Sequence, residues 1–380
     1  MRGLLATVAV LVALNAVLLL ARTDGPRARA TKPRARIGLV FDVGGRGDKS
    51  FNDSAHEGLE RAARELGVLA QYLEPGDGSD RESGIRLLAA EGFDLVIGVG
   101  FMFSDDMYAV AQEYPRTRFA SVDYAKFGPN GFVVPPPNMV ALKFREEEGA
   151  FLVGALAALR SRTHTVGFVG GMDIPLIRRF EAGYRAGAGH VCPSCRVVAG
   201  FAGVTADAFK NPAKGKELAL AQYGAGADII FHASGSTGLG VFEAARERGT
   251  YAIGVDADQY REAPGRIFTS MIKRVDVSVF DTVKAVIDGT FQGGVRTFGL
   301  AEGGIDYVFD EHNRDLVGPA ARARAEALRA EIVAGRLGVD TARGVAVVRT
   351  PAAAPASAAA PARGAAAPAS AGARAAGAAP

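Results

Sequence analysis

Two acidic side chains stand at the ends of apolar, β-branched segments, where strands of a buried sheet commonly end. Asp42 closes Ile37–Asp42 (IGLVFD), and Asp256 closes Tyr251–Asp256 (YAIGVD). A carboxylate at the end of a buried strand loses free energy unless it finds hydrogen-bond donors. Both carboxylates are therefore expected to have hydrogen-bond partners, whereas Asp258, just beyond the second segment, is expected to be solvated.

The glycine-rich loop 42–52 (DVGGRGDKSFN) has the general composition of a phosphate-binding loop. A P-loop needs a glycine directly before its lysine, and here Asp48 intervenes; the G-x-G-x-x-G spacing is also missing. We therefore expect no phosphate-binding loop. Ser50 or Asn52 is predicted to cap the following helix, because short polar side chains accept hydrogen bonds from its first N–H groups. Phe51 lies in the same loop, where a core role is not required.

A second glycine-rich loop, 235–240 (GSTGLG), follows the apolar segment Asp228–His232 and opens a predicted helix. Backbone N–H groups at such a helix start donate hydrogen bonds to polar ligands. An ordinary tight turn explains the same residues equally well, so this loop leaves both interpretations open.

Cys192 and Cys195 are the only cysteines of the chain and form a C-x-x-C motif. This spacing suits a redox pair, half of a metal site or a local disulfide. We favour a local disulfide in an oxidising compartment, which would support export. The histidines fall in no metal-ligand spacing and no Ser-His-Asp order stands out, so no catalytic residue, metal site or cofactor is predicted. The histidines are His56, His164, His190, His232 and His312.

The elements that must position these residues alternate along the body of the chain. Short β-branched or aromatic segments alternate with longer amphipathic ones, whose apolar residues recur at helical spacing. The series restarts near Glu146, and each of the two series spans about 100 residues, a usual domain size. A parallel sheet covered by helices on both faces is predicted for each. The fold class is thus α/β with two lobes, and a ligand is expected where strand ends of both lobes face one cleft.

Individual boundaries follow from these periodicities. The predicted strands are Ile37–Asp42, Ala70–Leu73, Phe93–Gly98, Arg118–Asp123, Thr165–Val169, Arg196–Gly200, Asp228–His232, Tyr251–Asp256 and Ile267–Ile272. The predicted helices are Phe51–Leu66, Arg81–Glu91, Ser104–Glu113, Glu146–Arg160, Leu176–Gly187, Lys214–Tyr223, Gly238–Arg248 and Val275–Ile287. The segments Phe298–Phe309 and Ala320–Val333 finish the body.

Composition and charge narrow the function classes. The 380 residues are 48% hydrophobic and 22% charged, which supports a large core and excludes a disordered chain. The net charge of +3 is unevenly distributed. Residues 1–36 carry seven Lys and Arg against one acid, and residues 341–380 carry four Arg and no acid, so residues 37–340 carry −7. An acidic body argues against nucleic-acid binding.

The two ends of the chain differ from its body. Residues 4–21 are almost entirely apolar, and 1–36 is predicted to be a signal peptide or membrane anchor with a basic linker. The basic residues after the apolar segment favour a cytoplasmic flank, but the rest of the chain favours export. No cysteine precedes Cys192, so lipoprotein processing is not expected. Residues 339–380, rich in Ala and Pro, are predicted to form a disordered tail.

Five segments, in order along the chain, resemble the basic membrane protein family, the nucleoside-binding components of ABC transporters. They are DVGGRGDKSFNDSAHEGL (42–59), EEEGAFLVGALAAL (146–159), NPAKGKELA (211–219), YAIGVDADQ (251–259) and TSMIKRVDVSV (269–279). The motifs D-x-GG-x-x-DKSFN and IGVD-x-DQ are specific to the family, and the resemblance runs over residues 37–310. It implies a type-I periplasmic-binding-protein fold, in which two Rossmann-like lobes joined by three hinge crossings close on a purine nucleoside.

The resemblance also implies a set of ligand-binding residues. They are Asp42, Ser50, Phe51, Asn52, Asp123, Phe209, Gly235, Asp256 and Lys273. Phe51 and Phe209 would sandwich the base, since stacking on an aromatic ring contributes about 1–3 kcal/mol per base. Gly235 would let the backbone approach the sugar closely. The family usually has Ser before the second stacking Phe and Asn/Asp-Asp after it; here Ala208 precedes it and 210–211 (Lys-Asn) follow.

The polar members of this set divide between the two parts of a nucleoside. Asp42, Asn52 and Asp123 would hydrogen-bond the edge of the base. Asp256 and Lys273 would hold the ribose, because an ionised carboxylate accepts both hydrogens of a cis-diol.

A non-enzymatic solute-binding protein is the function that the resemblance implies. Its partners would be a purine nucleoside, an ABC permease with its ATPase, and the membrane through residues 4–21. It would lie in the periplasm or on the outer face of the cytoplasmic membrane. We expect an N-terminal lobe of 37–137 and 258–292, and a C-terminal lobe of 138–257 and 293–338.

Two other functions stay open. A membrane-tethered sensor or regulator would use the same binding body, and the absent lipoprotein cysteine and the basic flank favour it. A nucleoside-processing enzyme would convert its ligand instead of only binding it. Permease and ATPase genes alongside would indicate transport, and product formation would indicate an enzyme, because the fold alone does not separate these functions.

Overall fold

The computed structural model describes residues 33–75 and 80–348. The predicted export or anchor segment 4–21 and the Ala/Pro-rich residues 351–380 lie outside that range, and the statements about them remain predictions. Within the described range, no helix is both long enough and apolar enough to pass through a bilayer.

The strands are short, and those in the middle of the sheets are almost fully buried, as expected where helices cover both faces. The strands are β1 (Arg36–Val40), β2 (Leu69–Leu73), β3 (Leu95–Val99), β4 (Arg118–Val122), β5 (Phe127–Gly128), β6 (Gly131–Phe132), β7 (Met139–Phe144), β8 (Thr165–Met172), β9 (Arg196–Gly203), β10 (Ile229–Ala233), β11 (Tyr251–Asp256), β12 (Ile267–Lys273), β13 (Gly294–Phe298), β14 (Ile305–Tyr307), β15 (Leu337–Asp340) and β16 (Val345–Val348).

Helices follow most of the strands directly along the chain. They are α1 (Phe51–Leu66), α2 (Arg81–Ala90), α3 (Ser104–Glu113), α4 (Glu146–Arg160), α5 (Pro175–Val191), α6 (Pro212–Gly224), α7 (Gly238–Arg248), α8 (Val275–Ile287), α9 (Arg314–Val317) and α10 (Pro319–Val333). Helices α1 and α7 end at Gly67 and Gly249, whose positive φ angles of 67° and 68° close the last turn. The bounds predicted for α1, α3, α4, α7 and α8 are the observed ones.

Two six-stranded sheets define the lobes. The N-terminal lobe contains the sheet β13-β7-β4-β3-β1-β2, and the C-terminal lobe contains β14-β12-β11-β10-β8-β9. All neighbours are parallel except β12 and β14, which pair antiparallel. The predicted α/β class with two parallel-sheet lobes is therefore confirmed.

The chain passes between the lobes three times, the number that the resemblance implies. It crosses at Arg145 between β7 and α4, at Arg274 between β12 and α8, and at 299–304 between β13 and β14. These crossings lie side by side, because the Arg145 N–H donates to Phe298 O and the Arg274 N–H to Gly304 O, both at 2.9 Å. A short, hydrogen-bonded bundle of crossings is a suitable hinge for lobe closure.

The predicted lobe boundaries are wrong at three strands. Met139–Phe144 and Gly294–Phe298, expected in the C-terminal lobe, pair with each other in the N-terminal sheet. Ile267–Lys273, expected in the N-terminal lobe, pairs with β11 in the C-terminal sheet. An apolar strand suits either sheet, and hydrogen-bond partners distant in sequence decide which one it joins. The strand β7 itself, and the hairpin of β5 and β6, were not predicted.

The predicted tail, 339–380, begins too early. Residues 337–348 form the antiparallel hairpin β15–β16, which packs on α5. Leu337 is buried, and Gly344 lies against Arg185 and Ala182 of α5. The hairpin forms because α5 offers it an apolar face, a contact that the local composition does not reveal.

Helices α4 and α5 cross at unusually close range. A Cβ atom on Gly154 would lie 2.2 Å from Tyr184 O, and one on Gly187 would lie 1.9 Å from Phe151 O, so only glycine is accommodated at either position. This contact brings the start of α4 beside α5, where Glu146 meets Arg179 at 2.9 Å. That pair lies next to the cleft described below.

Candidate ligand-binding cleft between the lobes

A cleft lies between the lobes, at the carboxyl ends of the parallel strands of both sheets. Of the candidate residues, those that line it are Asp42, Phe51, Asn52, Asp123, Phe209, Gly235, Asp256 and Lys273. Ser50 is fully buried instead, and its hydroxyl donates to the Asp256 carboxylate. The structure thus brings the candidates together from widely separated parts of the chain, in the location expected for parallel α/β sheets.

The start of α1 is capped by Asp48. Its carboxylate accepts hydrogen bonds from the backbone N–H groups of Ser50, Asn52 and Asp53 at 2.9, 2.8 and 3.1 Å. The prediction that Ser50 or Asn52 caps this helix is wrong. The Ser50 hydroxyl makes no capping hydrogen bond and donates to Asp256, and Asn52 Oδ1 accepts from the Asp42 N–H at 3.0 Å instead of from the helix. A buried aspartate three residues before the first residue of the helix is the signal that sequence reasoning missed.

The side of the cleft formed by the N-terminal lobe is called the N-terminal wall, and the side formed by the C-terminal lobe is called the C-terminal wall. Asp42 and Asn52 form one polar unit on the N-terminal wall. The Asp42 N–H donates to Asn52 Oδ1 at 3.0 Å, and the Asp42 carboxylate accepts from the Val43 N–H at 2.8 Å. Burial raises the pKa of Asp42 to about 7, although the Val43 hydrogen bond lowers it. Near neutral pH this carboxyl therefore both donates and accepts, which suits a heterocycle edge that carries both functions.

The neighbouring loop must make room for this carboxylate. Gly100 follows β3 with φ 106°, and a Cβ atom there would lie 2.0 Å from Asp42 Oδ2. Only glycine permits both this backbone conformation and this approach. Gly100 lines the cleft and was not among the predicted site residues.

Phe51 and Phe209 reach the cleft from opposite lobes. Phe51 is the first residue of α1, and Phe209 ends a short turn between β9 and α6. Hydroxyl groups of Ser236 and Thr237 donate to the carbonyls of Phe209 and Ala208 at 3.0 and 2.8 Å, which fixes the turn. The departure from the family pattern around Phe209 therefore does not remove its ring from the cleft.

Gly235 takes part in the same arrangement. It has φ 55°, and a Cβ atom there would lie 3.0 Å from Phe209 O. The backbone of the 235–240 loop therefore packs closely on the turn that carries the aromatic ring, and a side chain at 235 would push that turn away. Both Gly235 and Phe209 line the cleft.

A buried cation lies among carboxylates at the centre of the cleft. Lys273 Nζ donates to both oxygens of Asp123, at 2.8 and 2.7 Å, and lies 3.2 Å from Glu146, which also pairs with Arg179. Burial opposes the Lys273 charge, yet Asp123, Glu146 and Asp256 together raise its pKa. Burial raises the pKa of Glu146, while Lys273 and Arg179 lower it. Sequence reasoning missed Glu146 and Arg179.

Asp256 differs from Asp123 in having no direct lysine contact. Burial raises its pKa to about 7, against the opposing effects of the Lys273 charge and the Ser50 hydrogen bond. Asp123 directly follows β4 and has φ 60°, and Asp256 is the last residue of β11 and has φ 67°. This left-handed conformation is uncommon for residues other than glycine. Such strain is typical of functional sites, and both aspartates line this cleft.

Contacts across the cleft join the two lobes. Besides the Lys273–Asp123 pair, the Ser50 hydroxyl donates to Asp256, and Gln259 Nε2 donates to Lys49 O at 2.9 Å. Gln259 Oε1 also accepts from the Val255 N–H at 2.8 Å, so this glutamine holds the end of β11 as well. Several candidate ligand-binding groups therefore also hold the lobes together.

The C-x-x-C motif lies at the other end of the C-terminal lobe, near the amino ends of β8 and β9. Cys192 and Cys195 form a disulfide. His164 Nδ1 lies 3.8 Å from one sulfur and 3.7 Å from the other. This histidine showed no ligand spacing in the sequence, because the turn before β8 alone brings it to the cysteines.

The fold and cleft define a two-lobed solute-binding protein of the periplasmic type. The sequence profile of the Bmp family, described as ABC transporter substrate-binding protein PnrA-like, matches residues 36–337. The chain belongs to this family, which confirms the resemblance found in its motifs.

Individual relatives agree with this assignment. An uncharacterized lipoprotein of Pyrococcus abyssi is 36% identical over 293 residues, 74% of this chain and 71% of that protein. The ABC transporter nucleoside-binding protein BmpA of Lactococcus lactis is 31% identical over 347 residues, 84% and 96% of the two chains. An ABC transporter solute-binding protein from Aeropyrum pernix has a structure that matches with a TM-score of 0.72 at 31% identity, covering 80% of this chain and 92% of that one.

Proposed function

We propose that this protein is the extracytoplasmic solute-binding component of an ABC importer and binds purine nucleosides in the interlobe cleft. The observation that carries the proposal is the placement of Phe51 and Phe209 in one cleft from opposite lobes. Membership of the Bmp family supports the transport role, and the name of the Lactococcus lactis relative, a nucleoside-binding protein, supports the ligand class.

The two aromatic rings select a flat ligand. A purine inserted between them gains stacking on each face, about 1–3 kcal/mol per aromatic contact. Because the rings belong to different lobes, the sandwich is complete only when the lobes are closed. Ligand binding therefore favours the closed form, as in other hinge-type binding proteins.

The polar groups then separate a nucleoside from a free base. Asp42, Asn52 and Asp123 hydrogen-bond the base edge, and Asp42 suits it because its raised pKa lets the carboxyl donate or accept. Asp256 accepts from the ribose diol, aided by Lys273. Ser50 acts behind Asp256, because its hydroxyl fixes the orientation of that carboxylate.

Transport requires release as well as capture. The protein carries its ligand, without converting it, to a permease whose ATPase drives import, and opening of the three-crossing hinge releases the nucleoside. Residues 4–21 export or anchor the body on the outer side of the membrane. The lipoprotein names of several relatives support this location.

Calorimetric titration of ligand-free protein tests the proposal. The panel is adenosine, guanosine, inosine, a pyrimidine nucleoside and the free bases. We expect purine nucleosides to bind at micromolar concentration or tighter, with weaker binding of free bases. No binding across the panel by a folded sample would overturn the nucleoside assignment and leave the family membership intact.

Variants of the aromatic residues test the sandwich itself. We expect Phe51→Ala and Phe209→Ala each to weaken purine nucleoside binding by about 1–3 kcal/mol, the value of one stacking contact. Phe291→Ala is the matched control, because Phe291 is half-buried like the other two but lies outside the cleft. Equal affinity of all three variants and the parent would contradict the sandwich.

A further inference from the structure

Three side chains with metal-binding atoms converge at the end of the C-terminal lobe that lies away from the cleft. His164 Nδ1 lies 3.8 Å from Cys192 Sγ and 3.7 Å from Cys195 Sγ. Histidine, cysteine and acidic side chains can all bind metal ions. Among those in the described residues, these three have ligand atoms close enough together to share one ion. The proposed nucleoside function uses none of the three.

Backbone contacts hold this arrangement. The Cys195 N–H donates to Cys192 O at 2.9 Å, which closes the turn after α5. The Arg196 N–H donates to His164 O at 2.8 Å, so the turn and the start of β8 are directly joined. His164 has φ 54°, a left-handed conformation uncommon outside glycine. The histidine ring therefore faces the sulfurs because of a specific, sparsely populated backbone conformation.

The distances from His164 to the sulfurs fit tetrahedral coordination, and the two sulfurs, which are bonded to each other in the disulfide, separate to ligand spacing on reduction. Zinc binds thiolate sulfur at about 2.3 Å and imidazole nitrogen at about 2.0–2.1 Å, so sulfur and nitrogen ligands of one ion stand about 3.6 Å apart. Both nitrogen–sulfur distances here are within about 0.2 Å of that value. His164 is exposed and the cysteines are partly exposed, so an ion reaches the group from solvent.

The position on the helix favours a metal ion over thiol catalysis. Reactive cysteine pairs usually lie at helix amino termini, where the dipole stabilises the thiolate. Cys192 caps the carboxyl end of the 17-residue helix α5, whose partial negative charge disfavours a free thiolate and favours a bound cation. The nearby guanidinium of Arg196 points elsewhere and donates to Ala225 O.

We propose that Cys192, Cys195 and His164 bind one thiophilic divalent metal ion such as Zn²⁺ when the disulfide is reduced, with water as the fourth ligand. A dithiol reductant passes two electrons and two protons to the disulfide and becomes a disulfide itself. The metal ion then displaces the two thiol protons. Exchange with an external disulfide reverses the process: the protein disulfide re-forms, two external thiolates leave and the metal ion is released. This site is independent of nucleoside binding.

Cobalt titration of the full chain tests this site. The protein is reduced with tris(2-carboxyethyl)phosphine, which is oxidised to its phosphine oxide, and Co²⁺ is then added under nitrogen. We expect one equivalent of Co²⁺ to produce the visible absorption bands of tetrahedral thiolate coordination, and excess Zn²⁺ to abolish them. The oxidised chain and the double variant Cys192→Ser/Cys195→Ser should show no such bands.

The histidine is tested by variants that tolerate its backbone conformation. His164→Asn keeps a residue that accepts positive φ, and His164→Gly serves if the first variant does not fold. We expect Co²⁺ affinity to fall at least about 10–100-fold. That is the loss seen when a residue that only hydrogen-bonds to a metal ligand is removed, and His164 is proposed as a ligand itself. His312→Asn, at an exposed histidine elsewhere in the same lobe, should bind like the parent. Absence of the bands in the reduced chain, or an unchanged affinity after loss of His164, would overturn the proposal.

Discussion

The two walls of the cleft hold their polar groups in different ways. On the N-terminal wall, Asn52 Oδ1 accepts from the Asp42 N–H and the Asn52 amide donates to Asp48, all within one strand, loop and helix. On the C-terminal wall, Asp256 and Lys273 find partners across the cleft, in Ser50 and Asp123. The first wall is preorganised by its own segment, whereas the second acquires its geometry from contact with the first.

This difference connects closure of the lobes with ligand binding. The groups on the C-terminal wall hold the lobes together and line the cleft at the same time. A ligand that bonds to Asp256 or Lys273 therefore acts directly on the contacts that set the lobe-to-lobe geometry. Variants of Asp256 and Lys273 should therefore affect closure, whereas variants of Asp42 and Asn52 should affect mainly their own segment.

The largest effect is expected at the buried cation. Lys273→Met should lower the free energy of unfolding by about 3–5 kcal/mol, because it leaves the buried Asp123 carboxylate without its partner and removes one of the two cations beside Glu146. Urea unfolding measures the loss. Lys284→Met is the control, since its exposed pair with Asp288 contributes about 0–1 kcal/mol. Equal losses for both variants would show that the cleft network does not stabilise the fold.

The next effect concerns the ligand. At about pH 8, where a carboxyl with a pKa of about 7 is mostly ionised, Asp256→Asn should weaken purine nucleoside binding by about 1.5–3 kcal/mol, the value of hydrogen bonds to a charged group, and leave the binding of free bases almost unchanged. Calorimetry of both ligand types with the variant measures the difference. Asp258→Asn is the matched control, because that side chain is exposed two residues away. If nucleosides and bases lose the same affinity, Asp256 does not bind the ribose.

A smaller effect is expected on the N-terminal wall. Asp48→Ala should lower the free energy of unfolding by about 0.5–2 kcal/mol, because α1 loses its capping carboxylate. Asp80→Ala provides the comparison, since Asp80 stands before α2 without a capping hydrogen bond from its side chain. Thermal or urea unfolding of both variants distinguishes them. A loss at Asp80 as large as that at Asp48 would contradict the capping role.

The smallest effect is a pH dependence of stability. Asp42 has its pKa raised from 3.8 to about 7, so between these values the folded chain keeps a proton that the unfolded chain releases. The free energy of unfolding should therefore fall as pH rises from about 4 to about 7. Asp42 is half-buried, and after allowance for solvent we expect a change on the order of 0.5 kcal/mol. Asp42→Asn should make the free energy of unfolding depend less steeply on pH. An unchanged pH dependence would show that other groups cause it.

Sequence patterns correctly predicted those helices and strands whose periodicity and end residues lie within the element itself. Helix α1 has an apolar face repeated at helical spacing and a terminal glycine, and its predicted bounds are the observed ones. Strand β11 is apolar up to the aspartate that ends it, and its bounds are also correct. Each signal is complete within about 15 residues, the range over which backbone periodicity and capping act.

Contacts between distant segments were not predictable in this way. The sheet to which β7, β12 and β13 belong depends on pairing partners far along the chain, and the assigned lobe was wrong for all three. The hairpin β15–β16 is stabilised by α5, so its own composition resembled that of the tail.

The residues of the candidate sites show the same difference between local sequence patterns and contacts between distant segments. Periodicity in the sequence predicted the fold class, and family motifs identified the family and implied most of the candidate residues that line the cleft. Only the tertiary structure decided the capping by Asp48, the pairing of Lys273 with Asp123 and Glu146, and the approach of His164 to the cysteines. These depend on side-chain distances of about 3–4 Å between packed elements, which no spacing along one chain specifies.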